Sequence, residues 1–87
     1  MQKGKASKLF NALSDESRIT ILKTLYHNNS MYASELLNLV ECGQSTLSYH
    51  MSILLEANLV SSYKRQRKVY YNCNKPLVNE LMEYIKN

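Results

Sequence analysis

Residues 44–71 constrain the fold of this chain more than any other segment, because they combine an amphipathic helix with a strongly basic hairpin. A short polar run, 44–46, opens the helix, and five residues at 64–68, four of them cationic, join two strand-like stretches. A polar helix front fits the DNA major groove, where base edges present a readable pattern of donors and acceptors. A cationic hairpin supplies phosphate contacts, which add affinity but little sequence information. The segment therefore predicts a winged helix-turn-helix.

The remaining apolar pattern agrees with this fold class, which is mainly α with a small β-hairpin in the order α-α-α-α-β-β-α. Helices are predicted at about 5–13, 15–27, 33–40, 45–57 and 76–86, and strands at about 59–63 and 69–73. Residues 1–87 then form one domain, with the helix-turn-helix at about 33–57 and the wing at about 59–73.

Small polar residues, glycine and proline predict where the helices begin. Ser14 and Ser45 are the predicted N-caps, since a serine hydroxyl accepts a hydrogen bond from a free N–H of the first helical turn. Gly43 lies in the turn before the fourth helix, where glycine can adopt a positive φ at low cost. Pro76 predicts the start of the last helix, because proline suits the first turn.

The fourth predicted helix has one apolar and one polar side. At about 100° per residue, Leu47, Met51 and Leu54 fall on the same side. The polar residues opposite or flanking them are Ser45, Thr46, Ser48, Tyr49, Ser52 and Glu56. This polar side is the one predicted to face the base edges.

The positive charge of the chain is concentrated in the hairpin. The formal net charge is +4, and the other charged residues sum to zero once four cations are set apart: Lys64, Arg65, Arg67 and Lys68. A charge run is usually a solvated loop, but this run lies where a DNA-contacting wing tip is expected. We therefore predict double-stranded DNA as a partner, with these cations on phosphates and an arginine reaching the minor groove.

Length and composition exclude several other classes of protein. An 87-residue chain forms one domain that is marginal alone, which favours a partner subunit, and its 45% hydrophobic and 21% charged residues are ordinary for a globular protein. No apolar run is long enough for a membrane span, and no secretory h-region follows the basic N-terminus. Cys42 and Cys73 lie outside any CxxC spacing, which predicts reduced thiols in a cytoplasmic protein. Without paired carboxylates, a nucleophile elbow or a glycine-rich phosphate loop, no catalytic residues are predicted. Without a long apolar run, no membrane partner is predicted.

The order of elements, together with several short motifs, resembles the ArsR/SmtB family of bacterial winged-helix repressors. Residues 10–19, FNALSDESRI, are similar to the family's F-x-A-L-[SG]-D-x-x-R-[IL], and residues 44–51, QSTLSYHM, to its [QS]-x-x-[VL]-S-x-H-[LM]. Shorter matches at 34–37, 54–60 and 69–71 follow in the family's order. Together the matches span most of the chain.

The resemblance implies a homodimeric repressor on an inverted-repeat operator. It assigns base recognition to five residues of the fourth helix: Gln44, Ser45, Thr46, Ser48 and Tyr49. It assigns dimer contacts to the first and last helices, and hence to Leu9, Leu77, Leu81, Met82 and Ile85. The apolar stripe of the last helix also favours pairing with a second copy over capping the core. His50, nearer the apolar side of the fourth helix, is interpreted as a structural histidine.

Two features depart from the family pattern. Tyr32 and Ser34 replace the cysteines of its C-x-C-[DE]-L metal site, and the last helix has no histidine, only Glu80 and Glu83. We therefore predict no metal and no cofactor, although a new site built from the two cysteines and a histidine stays open. At the wing tip, Gln66 replaces the common glycine, which predicts a looser loop or a tip that orders only on DNA.

Alternatives to a ligand-switched repressor stay open. The loss of both metal sites also suits a plasmid or phage partition or copy-control protein, which coats an array of repeats. Cys42, just before the fourth helix, suits a redox-responsive repressor, because its oxidation would displace that helix. A protein-interaction domain on the same scaffold agrees less well with the clustered cations. The sequence assigns no small-molecule inducer.

Overall fold

Five helices and a small three-stranded sheet make up the computed structural model, which describes residues 1–87. In chain order the elements are α1 (Lys3–Ala12), α2 (Glu16–His27), β1 (Met31–Tyr32), α3 (Ala33–Leu37), α4 (Gln44–Glu56), β2 (Val60–Arg65), β3 (Lys68–Cys73) and α5 (Lys75–Lys86). This order confirms the predicted winged helix-turn-helix, in which α3 and α4 form the helix-turn-helix and β2 and β3 form the wing. None of the helices is both long and apolar enough to cross a membrane.

The sheet contains one strand that the sequence did not indicate. β3 lies in the middle, antiparallel to β1 on one side and to β2 on the other. β1 has only two residues, and it pairs Met31 with Tyr71 and Tyr32 with Tyr70. Because β1 runs directly into α3, it connects the helix-turn-helix to the wing.

Sixteen buried apolar side chains, drawn from all five helices, from the turns that follow α3 and α4 and from the start of β2, form a single core. Leu36 of α3, Leu54 of α4 and Leu59 before β2 have no exposed surface. Full burial of a leucine side chain is worth about 1.5–3 kcal/mol, so these contacts hold the helix-turn-helix firmly against the sheet. Tyr71 and Cys73 of β3 pack against the same core, and the opposite side of the sheet is therefore its outer side.

The N-cap of α2 differs from the prediction. The Asp15 carboxylate caps the helix by accepting a hydrogen bond from the backbone N–H of Arg18 at 3.1 Å. The Ser14 hydroxyl instead donates to the carbonyl of Asn11 at 2.6 Å. The prediction of Ser14 is wrong because this hydroxyl is used by the end of α1, which leaves the adjacent carboxylate for α2.

The start of α4 also differs from the prediction. The helix begins at Gln44, so its N-cap is Gly43 and not Ser45. Gly43 has a φ of −79° and not a positive value, because an extended backbone leads directly into the helix. Ser45 therefore lies within the first turn, on the exposed surface of α4.

Three of the five residues predicted to form dimer contacts are buried in their own chain. Leu9, Leu77 and Leu81 are only 2%, 8% and 0% exposed and belong to the core. Met82 and Ile85 are 45% and 55% exposed. The apolar stripe of α5 thus contains two parts, one that faces the core and one that faces solvent.

Candidate nucleic-acid interface

The front of α4 presents the side chains that were predicted to contact bases. Leu47, Met51 and Leu54 hold the opposite side of the helix in the core. The five candidates are all exposed: Gln44, Ser45, Thr46, Ser48 and Tyr49. Amide and hydroxyl groups both donate and accept hydrogen bonds, and base edges in the major groove require this capacity.

A polar cluster beneath α4 connects it to α1 and α2. His50 is buried, and its Nδ1 lies 3.0 Å from Nη1 of Arg18. Because a guanidinium only donates, Nδ1 accepts this hydrogen bond, and Nε2 on the other side of the ring lies 3.8 Å from the Asp15 carboxylate. Arg18 also donates from Nε to the carbonyl of Ala12 at 2.7 Å. This geometry supports a structural role for His50 and gives Arg18 a role that the sequence did not indicate.

The same cluster shifts the ionisation of Asp15. The hydrogen bond from the backbone N–H of Arg18 holds the pKa of this carboxyl below its ordinary value of 3.8, and the neighbouring His50 and Arg18 side chains lower it further against the opposing effect of desolvation. Asp15 is therefore a carboxylate at neutral pH. A negative charge at this point also suits the N-terminal end of the α2 dipole.

The wing is a tight hairpin with its cations outside. β2 and β3 pair as far as Arg65 opposite Lys68, and only Gln66 and Arg67 link them. These two residues have left-handed φ values of 50° and 69°, as in the two-residue turns that match strand twist. The structure thus has a tight turn in place of the predicted looser loop. Lys64, Arg65, Arg67 and Lys68 are all exposed, and none of them forms a salt bridge with a carboxylate of the protein.

Aromatic rings cover part of the outer side of the sheet. Tyr63 and Tyr70 stack with centroids 5.3 Å apart and ring planes 8° apart. Tyr32 meets Tyr70 edge to face at a centroid distance of 5.7 Å, and Lys68 Nζ lies 4.3 Å from the centroid of the Tyr32 ring. Aromatic pairs across strands stabilise a sheet, so these contacts stiffen the base of the wing.

The cysteines are separate half-buried thiols. Cys42 lies in the turn before α4 and Cys73 at the end of β3. Burial raises the pKa of the Cys73 thiol against the opposing effect of the Lys75 charge, which lowers its thiolate fraction. No three His, Cys, Asp or Glu side chains lie close enough together to bind a metal ion.

A helix with an exposed polar front, joined through a sheet to a hairpin with unpaired cations, defines a winged helix-turn-helix DNA-binding protein. Comparison with protein families agrees with this class, because the family model described as "Bacterial regulatory protein, arsR family" matches residues 15–62. The match includes α2 and the whole helix-turn-helix. The chain belongs to the ArsR family of bacterial regulatory proteins.

Relatives of known name are regulators of transcription and not enzymes. The arsenical resistance operon repressor of Bacillus subtilis (strain 168) is 36% identical over 78 residues, which are 90% of this chain and 74% of that repressor. The cadmium resistance transcriptional regulatory protein CadC of Listeria innocua serovar 6a is 31% identical over 77 residues, which are 88% of this chain and 65% of CadC. Among solved structures, HlyU from Vibrio cholerae N16961 has a TM-score of 0.83 at 32% identity, with 98% of this chain and 94% of HlyU covered. The chain is thus a DNA-binding transcriptional repressor of the ArsR family.

Proposed function

We propose that this repressor acts in the cytoplasm as a homodimer on an inverted-repeat operator. The observation that carries the proposal is the exposed polar front of α4 beside a wing whose cations form no salt bridge within the protein. Each protomer supplies one such unit. Two units related by a two-fold axis would place their α4 helices in successive major grooves, about 34–36 Å apart.

Within each half-site we assign base recognition to the front of α4 and phosphate binding to the wing. Ser48 and Tyr49 project hydroxyl groups from the exposed side of the helix, and Tyr49 is 61% exposed. Arg67, at the turn, is the cation best placed to enter the minor groove. Each phosphate that the wing neutralises releases counterions, so the affinity for DNA falls steeply as the salt concentration rises.

The dimer is proposed to form through an apolar surface that α1, α2 and α5 leave exposed. Phe10, Ile19, Met82 and Ile85 are 44%, 49%, 45% and 55% exposed. Ile19 and Met82 also line an open, mostly apolar groove of about 400 Å³ between α2 and α5. Large exposed apolar surfaces mark interaction sites, and a small domain gains stability from a second subunit. This surface replaces the buried leucines of the earlier prediction.

At the positions where the resemblance places the family's metal ligands, this chain has residues that are poor metal ligands. They support the proposal that its repression does not respond to metals bound there. Tyr32 and Ser34 replace the cysteines near α3, and α5 supplies Glu80 and Glu83 without a histidine. Zinc and the softer metals prefer nitrogen and sulfur ligands. A response to oxidants is the second candidate, because the half-buried Cys42 thiol lies in the turn that leads into α4.

Selection of bound duplexes from a random library, with the mass of the complex measured alongside, tests the proposed assembly. The expected result is an inverted repeat that carries two protomers. Recovery of single half-sites bound by one protomer would contradict it. Footprinting on the natural promoter distinguishes a repressor, which protects one or two repeats, from a partition or copy-control protein, which coats an array of them.

The proposed division between base recognition by α4 and phosphate binding by the wing predicts two different effects of substitution on DNA binding. Arg65→Ala should weaken binding to all duplexes about equally and reduce the slope of log affinity against log salt by about one. Ser48→Ala or Tyr49→Ala should weaken operator binding by about 1–3 kcal/mol and leave non-specific binding unchanged. Fluorescence anisotropy with operator and scrambled duplexes at several salt concentrations measures both effects. An Arg65 variant with altered sequence preference and normal non-specific binding would show that the division is wrong.

A further inference from the structure

The ring of Tyr32 lies against the ammonium group of a wing lysine. Lys68 Nζ is 4.3 Å from the ring centroid, within the distance at which a cation is attracted to an aromatic face. The contact follows from the sheet register, because Tyr32 on β1 is opposite Tyr70 on β3, and Lys68 is two residues before Tyr70. All three side chains therefore project from the outer side of the sheet.

An attractive contact stabilises Lys68 at this place, because a like charge lies opposite it in the hairpin. Its partner across the hairpin is Arg65, and like charges directly opposite each other destabilise a strand pair. No carboxylate of the protein lies within salt-bridge distance of either cation. The face of the Tyr32 ring is thus the only group that the structure provides to attract the Lys68 ammonium to one position.

Tyr32 is itself held from two directions. Its backbone N–H donates to Oε1 of Glu35 in the first turn of α3 at 3.0 Å, and its ring meets Tyr70 edge to face. Tyr70 in turn stacks on Tyr63 of β2. A half-buried ring with these contacts gives Lys68 a fixed surface, and it connects the wing to the first helix of the helix-turn-helix.

We propose that Tyr32 is a positioning residue for DNA binding, which orders Lys68 on the wing before the protein meets DNA. The inference rests on the proposed phosphate-binding role of the wing. A lysine side chain has high rotamer entropy, and ordering it in the free protein reduces the entropy that binding must remove. Lys68 remains exposed, so its ammonium can still donate to a phosphate while it contacts the ring.

The test compares Tyr32→Leu with Tyr32→Phe, which keeps the aromatic face. We expect Tyr32→Leu to weaken binding to a generic duplex about three- to ten-fold and Tyr32→Phe to stay within about two-fold of the wild type. The salt slope should be unchanged in both variants, because the charge of Lys68 is still present. Lys68→Ala should reduce that slope by about one, and adding Tyr32→Leu to Lys68→Ala should have no further effect.

Controls separate positioning from a general loss of structure. Urea unfolding of every variant should show that it is folded under the binding conditions, and Tyr32→Phe is the matched control because it keeps the aromatic face that contacts Lys68. Equal affinity of Tyr32→Leu and the wild type would overturn the inference. If Tyr32→Leu weakened DNA binding as much in the Lys68→Ala background as in the wild type, the inference would also be overturned, since a structural role alone would give that result.

A second measurement does not depend on the folding of any variant. In NMR spectra of the wild-type protein, the Lys68 Hε resonances should be shifted upfield by the ring current of Tyr32, and should stay so in the DNA complex. Resonances at the positions of the other lysines would overturn the inference. Failure of the wild-type protein to bind duplex DNA at low salt would instead overturn the proposed function, and the inference with it.

Discussion

At the scale of single residues, the wing tip places two side chains in a backbone region that favours glycine. Gln66 and Arg67 have φ values of 50° and 69°, and an L-residue in the left-handed region costs about 1–2 kcal/mol. A cation at position 67 is useful in the minor groove, but Gln66 carries no charge. The cost at Gln66 therefore serves no contact with DNA that the structure indicates.

We predict that Gln66→Gly increases the free energy of unfolding by about 1 kcal/mol, because glycine adopts this φ without strain. DNA affinity should change little, since all four wing cations remain. Urea unfolding measures the first effect and anisotropy the second. Asn58→Gly is the matched control: Asn58 has a φ of 62°, asparagine already tolerates this conformation, and the change should be near zero. A less stable Gln66→Gly protein would show that the side chain has a role at the turn.

A second residue-scale prediction concerns Asp15, whose pKa in the folded protein lies below 3.8. A lowered pKa stabilises the fold fully above the ordinary value, and the contribution is lost as the pH falls through the folded-state pKa. Asp15→Asn keeps an N-cap side chain but removes the charge. The variant should be less stable than the wild type at pH 7, and the difference should shrink below pH 3.8. Urea unfolding at pH 7 and pH 3 tests this, with Glu16→Gln in the same turn as control; a difference that is the same at both pH values would contradict it.

Residue-scale details are also where prediction from sequence was weakest. Ser14 and Asp15 are both suitable caps, and only the folded chain shows that the Ser14 hydroxyl bonds to α1 while Asp15 bonds to α2. The role of Arg18 depends on its contact with His50, 32 residues away in sequence. No local pattern carries such information.

At the scale of elements, the sequence predicted α4 and the wing well, because each has a strong signal of its own. The apolar period of 47–54 and the strand composition of 59–63 and 69–73, rich in Val, Tyr and Ser, come from residues close together in sequence. β1 was missed because two residues, Met31 and Tyr32, are too few to give a strand signal. They form a strand only because β3 supplies the hydrogen-bonding edge.

The last helix shows a different limit of the sequence pattern. Leu77 and Leu81 face the core of the chain, and Met82 and Ile85 face solvent, although all four belong to one apolar stripe. Helical period shows which residues share a side, but the same period describes a side that meets the core and a side that meets a partner. The distinction depends on how the other elements pack against α5, which is a property of the folded chain.

At the scale of the whole molecule, the wing cations and the proposed dimer surface occupy different places. The four cations are in the wing, where they can increase the rate of encounter with DNA, and the exposed Phe10, Ile19, Met82 and Ile85 are on α1, α2 and α5. A dimer formed through that apolar surface leaves both wings free. The separation allows assembly and DNA binding to be changed independently by substitution.

That separation predicts the outcome of charging the exposed side of α5. The double variant Met82→Lys/Ile85→Lys should fold normally, because both side chains are about half exposed, but it should be a monomer in analytical ultracentrifugation. It should bind an inverted repeat at least about ten-fold more weakly than the wild type. Its affinity for an isolated half-site should equal that of the wild type. Leu81→Ala is the matched control: Leu81 is fully buried, so it should cost about 2–5 kcal/mol of folding stability. A charged double variant that remains a dimer would place the subunit interface elsewhere. Because the added lysines increase the net positive charge, a weaker complex would reflect the loss of the second subunit and not a loss of electrostatic attraction to DNA.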